Sequence, residues 1–335
     1  MPDTISQPEP QCRSISDLAR QTGVSTGTVS RVLNQRGRVA EKTRQRVLRA
    51  ARQANFRPRM TARRMHVAVV SDRVRYAIPG GYVANLMSHM ADELANGDYA
   101  IELYTEGNVD RLSDRFVDGI LTMAWDDSTI RALRRVKNVP VVMISRQDLP
   151  EFSVVGADQA EGGCMVARYL LERGHRRVAV LCEDRTFGLE ERVLGFREAY
   201  AEHGLTFNEA LVGLTKHQPV YSALGRLVEL NPTALFIASE DLSLEATHVL
   251  TRVLSRKIGV DISVVGMETP SVSQFLDPPL STLAQPLDQI AFRAVRLLIE
   301  QMQASAFEPE KVILPNELIS RESVLDISAS PVDAG

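Results

Sequence analysis

One short stretch near the start of the chain carries small and hydrogen-bonding side chains at helical spacing. Residues 26–34, TGTVSRVLN, place Val29, Val32 and Leu33 on one side of a helix. The other positions are Thr26, Gly27, Thr28, Ser30, Arg31 and Asn34. Hydroxyl, amide and guanidinium groups bind phosphate oxygens and the base edges of the DNA major groove. The pattern therefore predicts a surface that reads DNA.

Two further helices are needed to hold that surface. Ser16 is a candidate cap for a helix through DLARQT, which Gly23 ends, and Ser25 is a candidate cap for the second helix. A third helix over residues 41–56 places apolar residues on one side and a row of arginines on the other. The predicted core positions are Ile15, Leu18, Ala19, Val24, Val29, Val32, Leu33, Val47, Leu48, Ala51 and Ala54. A plain helical hairpin is the alternative to a DNA-binding helix-turn-helix.

The charge of the chain is divided unevenly. Residues 1–65 contain 14 Lys or Arg and 4 Asp or Glu, a net charge of +10. The remaining residues contain 25 basic and 38 acidic side chains, a net charge of −13. A basic head meets a polyanion more readily than an acidic body does, although a solvated basic face is the simpler alternative. We therefore expect contact with double-stranded DNA to be confined to the head.

No residue pattern indicates catalysis. A phosphate-cradling glycine loop and a GxSxG elbow are both missing, and the six histidines show no metal-ligand spacing. His175 and Arg176 precede a strand, where a structural role is expected, and the three cysteines are sparse. We expect no enzyme activity, no metal and no cofactor. A secretory leader and a membrane span are also not predicted, which favours a cytoplasmic protein.

Beyond residue 66, short apolar runs alternate with amphipathic stretches. The predicted strands are 67–70, 101–104, 119–123, 141–144, 178–181, 235–238 and 264–266, and the predicted helices are 82–95, 128–137, 160–173, 190–203, 241–256 and 287–303. Such alternation predicts parallel sheets covered by helices, with ligands at the carboxyl ends of strands. Tyr76, Trp125 and Arg146 follow strand ends, where rings stack on sugars and Arg pairs with anions.

Several motifs resemble the LacI/GalR family of bacterial repressors. The run GVSTGTVSRVLN in the head, ERGHRR before a strand, and later VLGFREAYAEHGL, ISVVGME and PPLSTLAQP carry the resemblance, which spans about Ser14 to Arg321. It implies a small all-α helix-turn-helix head and an α/β two-lobed, periplasmic-binding-protein-like body with parallel sheets. The two lobes of the body are expected to close on a ligand, and the chain is expected to cross between them three times. The stretch EGNVDRLSDRF is shorter than the family's second helix.

The resemblance assigns roles within the head and the segment that follows. Thr26 and Gly27 match base-reading positions, and Arg31 matches the arginine that pairs with guanine. Ser25, Thr28, Ser30 and Asn34 match positions that contact the DNA backbone, whereas Ala40 stands where a serine cap is usual. The segment PRMTARRM matches a hinge helix that enters the minor groove; its candidates are Ala62 and Met65, with Met65 as the base-step wedge. Arg57, just before this segment, is a further candidate for DNA binding. The linker after Met65 is unusually short, so the wedge position could be shifted, or the segment could be a basic linker.

The resemblance also suggests an effector pocket. Asp158 and Arg192 match ligand-binding positions, Ser239 replaces a usual Asn and Glu268 replaces a usual Asp. The last two changes argue against a simple hexose as effector.

These features together predict a homodimeric repressor that binds a palindromic operator under control of a small molecule, most simply a carbohydrate. A constitutive regulator with a non-sensing pocket is the alternative, and a periplasmic transport receptor is disfavoured. The expected division is a disordered tail (1–13), the DNA-binding domain (14–57), the hinge helix (58–66), the effector-binding and dimerisation domain (67–325) and a C-terminal tail (326–335).

Overall fold

A computed structural model describes residues 14–33, 39–54, 56, 65–77, 80–115, 117–144, 147–184 and 188–328. The predicted N-terminal tail, most of the predicted hinge helix and the residues from 329 onward lie outside these ranges.

The described part of the head contains three helices, α1 (Ile15–Thr22), α2 (Thr26–Leu33) and α3 (Glu41–Gln53). They enclose one apolar cluster, in which Leu18, Val29 and Val47 are completely buried. The predicted cap at Ser16 is wrong, because Ser16 lies inside α1 and the Ser14 side chain accepts the hydrogen bond from the Asp17 amide at 3.1 Å. Ser14 is the N-cap residue, one position before the first helical residue. There its side chain can accept from amides of the first turn that have no partner within the helix.

The turn between α1 and α2 follows the sequence pattern. Gly23 has φ of 66° and ends α1 in the left-handed conformation that glycine adopts readily. Ser25 Oγ then accepts a hydrogen bond from the Thr28 amide at 3.1 Å, as its predicted capping role requires. Before α3, Ala40 contributes only its carbonyl, which accepts from the amides of Thr43 and Arg44.

The described residues of the body form two six-stranded sheets. The strands of the first sheet are β1 (His66–Ser71), β2 (Ala100–Tyr104), β3 (Gly119–Met123), β4 (Val141–Met143), β5 (Ser153–Ala157) and β11 (Lys311–Leu314). The strands of the second are β6 (Val178–Cys182), β7 (Val212–Leu214), β8 (Ala234–Ile237), β9 (Ser263–Met267), β10 (Ser281–Ala284) and β12 (Glu317–Ile319). The first sheet has the order β11-β5-β4-β3-β1-β2 and the second has the order β12-β10-β9-β8-β6-β7. All neighbours pair in parallel except β10 and β12.

Helices cover both faces of each sheet, as parallel strands require. In the first lobe, α4 (Tyr82–Ala95) and α10 (Leu287–Gln303) pack on one face and α5 (Asp127–Arg135) packs on the other. In the second lobe, α6 (Gln159–Glu172) and α7 (Leu189–Glu202) share one face, with α8 (Val220–Glu229) and α9 (Ser243–His248) on the other. A π-helical turn, Val249–Val253, continues α9.

The chain passes between the lobes at three places, as the resemblance implies. It leaves the first sheet after β5, returns after β10, and leaves again between β11 and β12. Side-chain amides tie these crossovers together: Gln159 Nε2 donates to Gln285 Oε1 at 3.1 Å, and Asn316 Nδ2 donates to the carbonyl of Asp158 at 2.5 Å.

Helices α6 and α7 approach each other almost backbone to backbone. A Cβ added at Gly163 would lie 2.0 Å from the carbonyl oxygen of Arg192, and one added at Gly195 would lie 1.9 Å from that of Ala160. Glycine at both positions is therefore required for this packing. Ala160 and Gly163 lie on α6, the helix that follows the first crossover. The close contact between α6 and α7 therefore holds Arg192 at a fixed distance from this crossover.

Met65 belongs to the body in this structure. Its side chain packs against the apolar cluster of the first lobe, and its carbonyl accepts a hydrogen bond from the Ala100 amide at 2.8 Å. His66 is the first residue of β1, so it is not part of a hinge helix. The predicted wedge at Met65 is not supported, because the short linker leaves no residues between the wedge position and the first strand.

Some elements differ from the sequence predictions. The strands β5, β7, β10, β11 and β12 and the helix α8 were not predicted. The stretch after β2 forms a single 3-10 helix, Val109–Asp114, in keeping with its shortness. The predicted tail starts too early, because the Ile327 amide donates to the carbonyl of Arg173 at 2.9 Å.

Candidate functional site

The outer face of α2 presents the residues predicted to read DNA. Ser25, Thr26, Gly27 and Arg31 are exposed, and Thr28 and Ser30 are half-buried. Arg31 Nε donates to the carbonyl of Gly27 at 3.2 Å, so the guanidinium lies along the helix beside a position that has no side chain. The Thr28 hydroxyl is 2.9 Å from Ser25 Oγ. Asn34, Arg57 and Ala62 lie outside the described residues.

A cavity of about 440 Å³ lies between the two lobes. Its volume falls within the usual range for small-molecule sites. The first lobe contributes Arg73, Ala77, Tyr82, Val83 and Trp125. The second lobe and the crossovers contribute Gln159, Glu183, Gly188, Leu189, Arg192, Thr215, Lys216, Gln218, Pro219, Val220, Ser239, Glu240, Asp241, Leu242, Glu245 and Gln285.

Two rings form the wall of the cavity on the first lobe. Tyr82 begins α4 and Trp125 follows β3; their ring centroids are 6.3 Å apart in an edge-to-face arrangement. Arg73 follows β1, and its guanidinium carbon lies 5.4 Å from the Trp125 ring centroid. Arg73 Nη1 also pairs with Glu183 Oε2 at 2.6 Å, and this ion pair joins the two lobes.

A buried carboxylate supports the position of Trp125. Asp72 is 5% exposed, and its Oδ2 accepts hydrogen bonds from the amides of Trp125 at 2.9 Å and Asp126 at 2.8 Å. Burial raises the pKa of Asp72, although the two amides act in the opposite direction. Asp72 therefore fixes the loop that carries the ring, rather than lining the cavity itself.

Arg192 lies on the opposite side of the cavity, on α7, and is only 5% exposed. Its Nε donates to Gln159 Oε1 at 2.9 Å, and its Nη1 donates to the carbonyl of Ala238. Burial lowers the pKa of Arg192, and Glu240 is the carboxylate that most favours its charged form. Gln285 Nε2 donates to Glu240 Oε1 at 3.0 Å, so amide hydrogen bonds connect both charged residues to the crossovers.

The turn after β8 is acidic. Glu240 and Asp241 lie in a 3-10 helix, Glu240–Leu242, and Glu245 follows in α9. Burial, together with the charges of Glu240 and Glu183, raises the pKa of Asp241 to about 6. On the neighbouring side, Lys216 Nζ pairs with Asp184 Oδ2 at 2.9 Å.

Three predicted effector-binding residues line the cavity: Trp125, Arg192 and Ser239. Asp158 does not; it caps α6, where its Oδ1 accepts from the Glu161 amide at 3.0 Å. Glu268 does not either. Its side chain is only 9% exposed, and its Oε2 pairs with Arg321 Nη1 at 2.9 Å. The resemblance to the family placed both at the pocket, but local partners hold them elsewhere. Arg146 and the side chain of Tyr76 lie outside the described part of the chain.

Among the polar or aromatic residues of the cavity that sequence reasoning missed are Arg73, Tyr82, Gln159, Glu240 and Asp241. Four of them follow strands or begin helices after strands. The carboxyl ends of parallel strands were expected to hold the ligand, and this rule would have found them if it had been applied to every strand.

The described residues contain no group of three or more His, Cys, Asp or Glu that could hold a metal. No helix within the described ranges is both long and apolar enough to cross a membrane.

A three-helix head with an exposed hydrogen-bonding helix, joined to a two-lobed α/β body with a cavity at the lobe interface, defines a DNA-binding transcription regulator rather than an enzyme. Comparison with known proteins supports this assignment. Residues 14–59 match the model of bacterial regulatory proteins of the lacI family, and residues 167–324 match that of the periplasmic binding protein-like domain. The chain belongs to the LacI family.

Related proteins cover nearly the whole chain. The HTH-type transcriptional regulator DegA of Bacillus subtilis (strain 168) is 30% identical over 332 residues, covering 92% of this chain and 97% of DegA. The HTH-type transcriptional repressor PurR of Haemophilus influenzae (strain PittGG) is 28% identical, covering 94% of this chain and 99% of PurR.

Solved structures have the same fold. The transcriptional regulator CelR in complex with cellobiose is 27% identical, with a TM-score of 0.70 over 93% of this chain and 99% of CelR. The lac repressor dimer bound to operator and the anti-inducer ONPF has a TM-score of 0.67 over 93% of this chain and 99% of the repressor, at 21% identity. The second of these comparisons concerns the fold alone.

Proposed function

We propose that this protein is a homodimeric repressor that binds a near-palindromic operator and is released from or recruited to it by a small molecule held between the lobes, a carbohydrate or sugar derivative. The observation that carries the proposal is the cavity, because residues of both lobes line it. A ligand there contacts two bodies at once, and can favour one lobe arrangement through differential affinity. Action on DNA places the protein in the cytoplasm.

The cavity supports a sugar-like ligand. Rings such as Trp125 and Tyr82 stack on the apolar faces of sugars, while the amides and carboxylates opposite them suit hydroxyl groups. CelR, a relative of similar architecture, has been solved with cellobiose.

A homodimer is supported by apolar side chains left exposed on the second lobe. Tyr221, Leu244 and Val253 are each 57% exposed, and Phe275 is 76% exposed. These side chains are candidates for the dimer interface, where a partner subunit would bury them. A single head also offers few base contacts, and a two-fold protein needs a two-fold site.

Selection of binding sites from random DNA tests the DNA-reading part of the proposal. We expect an inverted repeat, and we expect Arg31→Ala to relax base choice at one position in each half-site at a cost of about 1–3 kcal/mol per lost bidentate contact. Arg49→Ala, which removes an equal charge from an exposed position of α3, is the control and should leave the selected bases unchanged. A selected site without inverted symmetry, or an unchanged base pattern in Arg31→Ala, would contradict this reading.

The effector part is tested with the only tryptophan of the chain, Trp125, as a built-in reporter. Metabolites that change its fluorescence should also change operator affinity, and Arg192→Met should abolish both effects while leaving operator binding intact. Constitutive operator binding, with no metabolite that changes Trp125 emission, would favour a regulator with a non-sensing pocket.

A further inference from the structure

The ion pair between Arg73 and Glu183 links the two lobes across the cavity. We propose that this pair is a latch: it holds the lobes closed through contacts of the protein itself, and so sets the balance between closed and open arrangements before an effector binds. The inference rests on the proposed function in one respect, namely that the arrangement of the lobes controls operator affinity.

Buried strands place both partners of the latch. Arg73 comes two residues after β1 and Glu183 directly follows β6, and both strands are buried except at His66, the far end of β1. Arg73 Nη1 lies 2.6 Å from Glu183 Oε2, with the two side chains 25% and 41% exposed. The Arg73 guanidinium also lies within cation–π range of the Trp125 ring. Because its anchors are rigid, the pair can form at only one spacing of the lobes.

The latch lies far from the crossovers about which the lobes can rotate. In the first sheet, β1 is three strands away from β5, where the chain leaves the lobe; in the second sheet, β6 is three strands away from β10, where the chain returns. Neighbouring strands are about 4.8 Å apart, so the latch is roughly 14 Å from the crossovers. A rotation of roughly 10° would therefore separate the two partners by about 2.4 Å, which is enough to break a hydrogen-bonded pair.

Two further contacts show that the lobes also meet elsewhere around the cavity. Gly80, just before α4, lies against the turn after β9: a Cβ added to it would collide with Ser271 Oγ and lie 3.6 Å from Thr269 Cγ2. Tyr82, at the start of α4, is close enough to the second lobe for Glu240 to add to the effect of burial in raising its pKa. Loss of the latch should therefore loosen these contacts as well.

The latch is also connected to the DNA-binding head. Strand β1 runs from His66, next to the point where the head joins the body, to within two residues of Arg73. It lies between β2 and β3 in the sheet, so it moves only together with the first lobe. By the proposed function, opening the latch would displace the attachment point of the head and change operator affinity.

Hydrogen exchange of the full-length protein, measured by mass spectrometry, tests the latch. The reporter is the turn after β9, residues 269–273, in which Thr269 is 2% and Ser273 1% exposed. Exchange there speeds up in proportion to the open fraction, so Arg73→Gln and Glu183→Gln should each accelerate it about 3–10-fold. The double variant should be no faster than the faster single variant, because each single substitution already breaks the pair.

Lys216→Gln is the matched control. Lys216 Nζ pairs with Asp184 Oδ2 at 2.9 Å beside the same cavity, but both partners belong to the second lobe. This substitution removes a charged pair without unlinking the lobes, so exchange of residues 269–273 should stay within about twofold of wild type. The buried strand β8 should exchange at the wild-type rate in every variant, which shows that the fold is intact.

Unchanged exchange of residues 269–273 in either single variant would overturn the latch, as would equal acceleration by Lys216→Gln or in β8. A double variant whose acceleration is the product of the two single effects would overturn it too, since the charges would then act separately. Operator affinity of the same variants addresses the proposed function. A shift in the same direction in both single variants supports it, whereas accelerated exchange with unchanged operator affinity keeps the latch and contradicts control of DNA binding by the lobes.

Discussion

Gly163→Ala tests the close approach of α6 and α7, on which the position of Arg192 depends. The added Cβ would lie 2.0 Å from the carbonyl oxygen of Arg192, whereas real Cβ contacts essentially never fall under 3.0 Å. The helices must therefore separate by about 1 Å at this point. The clashing atom is a backbone oxygen inside a helix, so it has no rotamer to escape to. Overpacking of this kind costs about 1–3 kcal/mol, which exceeds the roughly 1 kcal/mol that alanine gains over glycine within a helix.

A matched substitution with the opposite expected sign is available in α8. Gly225 is also inside a helix, but a Cβ there would meet no atom within 4 Å. Gly225→Ala should therefore raise the free energy of unfolding by up to about 1 kcal/mol.

Urea unfolding of both variants, followed by circular dichroism, gives the comparison. We expect the midpoint to fall for Gly163→Ala and to rise for Gly225→Ala. Gly163→Ala should also weaken ligand binding at Trp125, since α7 carries Arg192. Equal stabilisation by the two substitutions would refute the argument that backbone contact between α6 and α7 sets the geometry of the cavity.

Two further predictions follow from single residues. Met65→Ala should lower the free energy of unfolding by about 1–2 kcal/mol, because the Met65 side chain packs against the first lobe. Gel-mobility measurements on this variant should show an unchanged operator bend. A reduced bend would instead support Met65 as the base-step wedge. Asp241→Asn should raise the melting temperature at pH 7 but not at pH 4. The pKa of Asp241 in the folded protein is about 6, above its usual value of 3.8, so the ionised carboxylate destabilises the fold increasingly as the pH rises from about 4 to 6. A difference in melting temperature that does not depend on pH would contradict this cause.

The sequence alone indicated the head, the alternation of strands and helices, and the boundaries of the long helices. Residues 82–95 and 287–303 were predicted as helices and form α4 and α10 at the same residues. These features depend on local patterns, namely the 3.6-residue period of apolar positions and the glycine at a helix end. The short strands β11 and β12 lack such a pattern, since each is three or four residues long and gains its place by pairing at a sheet edge.

The candidate cavity was only partly accessible from the sequence. Trp125, Arg192 and Ser239 were found, because their positions relative to strands and motifs are local properties. Asp158 and Glu268 have similar positions, yet a helix amide and Arg321 hold them away from the cavity. The joining of Arg73 to Glu183, 110 positions apart in the chain, depends on how the two lobes pack. Local patterns therefore determined which elements form, whereas the contacts between distant elements decided which side chains meet at the site.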